Sequence, residues 1–98
     1  MPGTITEVRT GNVNETRLKR TLASNLRYLR FLKKPHISQQ MLAKHLGITQ
    51  KSISRYECGE VLPPAYILAA IAGYFGCTVD ALLRENMQEK RNLERRNT

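Results

Sequence analysis

Residues 39–58, QQMLAKHLGITQKSISRYEC, constrain the fold more than any other part of the chain. Gly47 separates two apolar sets of helical period, Met41, Leu42 and Leu46 before it and Ile53 and Tyr56 after it. Ser38 and Thr49 precede the two helices, where a side-chain oxygen can satisfy free backbone N–H groups. The spacing predicts one helix over 39–46 and a second from 50 to about 58. Gly47 closes the first, in the left-handed conformation that glycine adopts cheaply. Two helices crossing at about 90–120° over so tight a turn make steric demands. Ala43 must be small, because its face lies against the second helix. Leu42, Leu46, Ile48, Ile53 and Tyr56 must be apolar to fill the angle. All these conditions are met at once, and no proline interrupts either helix.

The flanks extend the same pattern. Leu18, Leu22, Leu26 and Leu29 recur at helical steps, with Asn14 or Thr16 as the cap and Pro35 as the stop. Pro63-Pro64 predicts a fourth helix with proline in its first turn, its apolar set being Ile67, Leu68, Ile71 and Phe75. Gly76 and a Thr78 cap lead into a short fifth helix holding Val79, Leu82 and Leu83. No alternating strand pattern interrupts 14–83, so the expectation is an all-α bundle of five short helices. Residues 1–13 lack sustained periodicity and read as a flexible arm. Residues 84–98 form a polar basic tail that either extends the fifth helix or frays.

A chain of 98 residues supports one modest core and no second domain. No apolar run approaches the roughly 18 residues of a membrane span, and the first twenty residues have no apolar centre of the secretory kind. A soluble, cytoplasmic protein is expected, with no membrane partner. The net charge of +8 and pI near 10 point toward a polyanion, nucleic acid ahead of an anionic surface. That charge is spread out. Residues 1–20 carry four basic and two acidic side chains, 21–83 seven and three, and 84–98 five and three. A basic face must therefore be assembled by folding. Cys58, Cys77, His36 and His45 have no tight metal-ligand spacing, so buried or half-buried thiols and a surface His45 are expected, with no metal and no cofactor.

With these residues in place, the chain resembles the Cro/cI-type, XRE-like helix-turn-helix family of phage repressors and bacterial regulators. The resemblance covers about 22–83 and rests on LRYLR, SQQMLAKHLGITQKSISRYECG and GCTVDALL. It implies a lambda-repressor-like five-helix bundle that binds operator DNA as a homodimer. It also implies a pair between Arg30 and Glu57, of structural value, and a phosphate-binding Gln39 that braces Gln50. The chain departs from the family in three places. The link from Arg30 to Ser38 is about two residues longer, EVLPP after Gly59 lacks basic residues, and the arm and tail have no counterpart.

The outward residues of the predicted third helix supply the chemistry. Opposite Ile53 and Tyr56 stand Gln50, Lys51, Ser54 and Arg55. A helix fits the DNA major groove and meets base edges first with its N-terminal residues. Glutamine grips adenine bidentately, and arginine or lysine grips guanine. Thr49 can cap the helix and still touch a phosphate, and Gln39 opens a helix whose free N–H groups favour an anion. The expectation is a transcriptional regulator binding specific double-stranded DNA at a near-palindromic site. Its dimer surface is placed near Leu82, Leu83 and the tail, ahead of the N-terminal arm. The competing reading is a protein–protein module of the same fold, such as an antitoxin or adaptor. That reading would favour large apolar groups where the third helix instead presents Gln, Lys, Ser and Arg. No nucleophile has a recognisable neighbouring base and no glycine loop cradles a phosphate, so an enzyme is not expected.

Overall fold

Asn14 caps the first helix, its side chain accepting a hydrogen bond from the Arg17 N–H. Of the two cap candidates, Asn14 is the one used. The structure, a computed structural model, describes residues 14–96. The expected arm over 1–13 and the last two residues lie outside the described range.

Six helices follow one another: α1 (Glu15–Leu32), α2 (Gln39–Leu46), α3 (Gln50–Glu57), α4 (Ala65–Phe75), α5 (Val79–Arg84) and α6 (Met87–Arg96). Among the described residues there is no strand. The fold is the all-α helix-turn-helix bundle that the sequence pattern implies. Ser38, Thr49 and Thr78 each accept a backbone N–H three residues ahead, which fixes the starts of α2, α3 and α5. Gly47 has φ 73°, and the Ile48 N–H turns back to the Ala43 carbonyl at 3.0 Å. A Cβ added at Gly47 would meet nothing within 4 Å, so the glycine is there for its dihedral and not for space.

The long α1 is the spine. It packs on α3, α5 and α6, while α2 packs on α3 and α4. Leu22, Leu26, Leu42, Ile53, Ile71 and Leu82 are fully buried, drawing on five helices. Each contributes about 1.5–3 kcal/mol by leaving water. Ala43 is buried at the crossing of α2 and α3, as the tight angle requires.

Four expectations are corrected. Met41 is 49 % exposed, because α2 turns Leu42 and Ala43 inward and leaves Met41 on the other side. Pro64 is the cap of α4 and not part of its first turn. It is extended at ψ 162°, and its carbonyl accepts from Ile67 and Leu68. Cys58 is exposed at the end of α3, while Cys77 is half-buried. Residues beyond Arg84 do not extend α5. The chain turns at Glu85–Asn86, where the Asn86 side chain accepts from the Glu89 N–H, and it restarts as α6.

Asn25 explains where that turn goes. It is buried among leucines on α1, and its Nδ2 donates to the carbonyls of Leu82 at 2.9 Å and Glu85 at 2.6 Å. Its Oδ1 accepts from the Met87 N–H at 3.1 Å. One side chain thus satisfies the end of α5 and the start of α6.

Candidate nucleic-acid interface

The two short helices α2 and α3 are held at their far end and open at their near end. At the far end, Arg30 on α1 meets Glu57, the last residue of α3. Nε lies 2.6 Å from Oε2 and Nη2 lies 2.9 Å from Oε1. Hydrogen bonding to Glu57 raises the Arg30 pKa further, against a smaller opposing effect of burial. The same guanidinium donates Nη1 to the Ile37 carbonyl at 2.8 Å, so the longer link between α1 and α2 folds back onto Arg30. Arg27 adds a hydrogen bond to the Glu57 carbonyl.

Gln39 transmits this arrangement forward. Its Nε2 donates to Glu57 Oε1 at 2.9 Å, and its Oε1 lies 3.5 Å from Gln50 Nε2. Arg30, Glu57, Gln39 and Gln50 form a connected line from the spine to the first residue of α3. The structure therefore brings Gln39 and Gln50 together, and Glu57 with Arg30. Both Gln39 amide atoms are engaged in this line. The second Nε2 hydrogen of Gln39 and the first N–H groups of α2 are the donors left at this end.

Ile53 and Tyr56 bury one side of α3, and burial raises the Tyr56 phenol pKa. The other side carries Gln50, Lys51 and Arg55, all exposed, and the half-buried Ser54. Thr49 is exposed, and its hydroxyl accepts the Ser52 N–H at 3.1 Å. Arg55 faces outward but is not free. Its Nε pairs with Glu60 Oε1 at 2.8 Å, both side chains being at least half exposed. Such an exposed pair contributes only about 0–1 kcal/mol, so an anion can displace it. The pair spans the Gly59 turn, five residues apart in sequence, outside any helical spacing rule.

Asn25, Arg27 and Glu60 are the residues that sequence reasoning missed. Asn25 has a signal, a polar residue placed within the buried leucine face of α1. Among the described residues no group of three or more metal-ligating side chains exists, and no helix is long and apolar enough to cross a membrane.

The model of a protein family described as helix-turn-helix matches residues 29–82, more than half of the chain. The matched span runs from the second half of α1 into α5 and includes α2 and α3 entire. No curated protein and no solved structure gives a significant match.

Proposed function

The chain belongs to the Cro/cI-type, XRE-like helix-turn-helix family of DNA-binding domains, and from that premise we propose that it reads a specific double-stranded DNA site as a transcriptional regulator. In this reading α3 enters the major groove. Gln50 meets an adenine edge, and Lys51 or Arg55 a guanine edge, with Ser54 beside them. Thr49 and the N-terminal end of α2 at Gln39 face phosphates. The observation that carries the reading is the division of α3 into two sides. Its apolar side is locked into the core, and its first glutamine is braced by Gln39. The opposite side offers hydrogen-bonding and cationic groups to solvent. A rigid helix with a polar outer side suits base readout, because little rotamer freedom remains to be lost at its root.

The working species in this reading is a homodimer on a near-palindromic operator. One helix of eight residues covers only a few base pairs, and two of them about one DNA turn apart double the sequence read.

Selection of bound sequences from a random duplex library tests the proposal. An enriched near-palindrome is expected. Gln50→Ala and Arg55→Ala should each relax preference at one base position by about 1–3 kcal/mol while remaining folded. If both variants select the parent's sequence with the parent's affinity, α3 does not lie in the groove.

A further inference from the structure

Outside the matched span, α1 carries a second polar surface. Arg17, Arg20, Ser24 and Arg27 recur at steps of three, four and three, which sets them on one side of the helix. The three arginines are exposed and Ser24 is half-buried. Arg27 reaches the Glu57 carbonyl at the end of α3. Among the described residues, the guanidinium groups of Arg17 and Arg20 have no hydrogen-bond or ion-pair partner. The stripe borders two shallow clefts that share Arg20 and Ser24. One, of about 420 Å³, also takes in Thr21 and Asn86. The other, of about 560 Å³, takes in Thr16 and runs to Cys58 and Gly59. Among the described residues, the only carboxylate at either cleft is Glu57, already engaged by Arg30.

Guanidinium groups beside hydroxyls, with no free acceptor of opposite charge, match the chemistry of a phosphodiester. From Arg17 to Arg27 the stripe runs about 15 Å, longer than the roughly 3.4 Å axial step between phosphates of one strand. Its location gives the partner. A helix in the major groove has a phosphate wall on each side. The segment following α3, Glu60 to Pro64, brings an acid and no lysine or arginine to the wall beyond Gly59. The second cleft joins that end of α3 to the α1 stripe. We propose that Arg17, Arg20 and Arg27 form a phosphate track that carries the duplex backbone past the C-terminal end of α3. This rests on the reading of α3 as the groove helix.

The test compares the parent, Arg17→Gln/Arg20→Gln, Gln50→Ala and Arg55→Ala, each on the selected duplex and on a scrambled duplex of equal length. Arg17 and Arg20 are exposed and, among the described residues, unpaired, so the double variant should melt with the parent. Each phosphate that no longer meets an arginine flattens the plot of log affinity against log salt by about 0.9. For the two phosphates of the double variant, the parent's advantage should shrink about tenfold between 50 and 200 mM salt. That change is expected on both duplexes, with base preference unaltered, and each single variant should give about threefold, half of the slope change. An unchanged slope, with Gln50→Ala or Arg55→Ala still losing preference, overturns the track and leaves the groove reading standing. If Gln50→Ala and Arg55→Ala both keep the parent's preference and affinity, or selection yields no preferred duplex, the groove reading fails. The slope on the scrambled duplex then decides the track alone. A parent that binds no duplex overturns both.

Discussion

Arg30 on α1 and Glu57 on α3 are joined by two contacts, Nε to Oε2 at 2.6 Å and Nη2 to Oε1 at 2.9 Å, with Gln39 donating to the same Oε1. The Glu57 side chain is only 3 % exposed, and these donors are what satisfy its buried carboxylate oxygens. One ion pair thus sets the position of α3 on the spine and, through Gln39, the aim of Gln50.

Arg30→Ala should therefore act on stability before it acts on recognition. Removing one partner of a buried pair costs about 3–5 kcal/mol, because the other charge stays buried. In a domain of this size that lowers the melting temperature by at least about 12 °C. Thermal unfolding measures the loss, and binding below the transition should show the parent's base preference. A variant with parental melting and weaker DNA binding would instead make Arg30 a phosphate ligand.

Asn25 should be intolerant of both removal and charge. Asn25→Ala leaves the Leu82 and Glu85 carbonyls and the Met87 N–H without their partner, at a cost of about 1–3 kcal/mol. Asn25→Asp should be worse near neutral pH, since a carboxylate has no hydrogen to offer two carbonyl oxygens. Melting curves of the two variants decide it. An aspartate as stable as the alanine would show that the amide's donation does not hold α5 to α6.

The two thiols should react at different rates. Cys58 is exposed, whereas Cys77 is half-buried and its pKa is raised, chiefly by burial and further by Glu85. The thiolate is the reacting form, so a raised pKa leaves less of it near pH 8. Mass mapping after brief alkylation should find Cys58 modified first. Raising the pH through the elevated Cys77 pKa should narrow the gap. Equal rates at pH 8 would mean that the α4–α5 turn opens faster than the reagent attacks.

What is legible in the sequence is what depends on near neighbours. Ser38, Thr49 and Thr78 act within three residues of their position, and Gly47 answers a local dihedral. The buried sides of α1, α2 and α3 follow from their apolar spacing, and the Arg30–Glu57 pair and the Gln39–Gln50 brace follow from family resemblance. What escapes depends on partners far away in sequence. Asn25 meets residues 56 to 62 positions later. Arg55 reads as free in the sequence because no helical rule links it to Glu60 across a glycine turn. The sixth helix hides in a polar segment, since its start is fixed by Asn25 and Asn86 and not by an apolar stripe of its own.

The pairing of two copies on DNA should depend on α6, and on Leu93 within it. Leu82, part of the surface that the sequence suggests, is fully buried in its own core, and Met87 packs partly against that core. Leu93 is different: it is 49 % exposed on a helix with no buried residue. Beside α6 lies a shallow groove lined by Tyr28, Leu29, Leu32 and Met87 and edged by Lys90 and Glu94. An exposed apolar residue and an apolar-floored groove along the same helix suit a self-complementary two-fold contact. Leu93→Glu leaves the fold intact, because the side chain contributes little to the core. It introduces a charge where two copies would meet. The variant should bind a half-site as the parent does and bind the full near-palindrome at least about tenfold more weakly, the cost of about 1.4 kcal/mol at the contact. Titration of both duplexes at one salt concentration makes the comparison. Equal weakening on the two would reduce α6 to a source of phosphate contacts, and no weakening on either would move the dimer surface elsewhere.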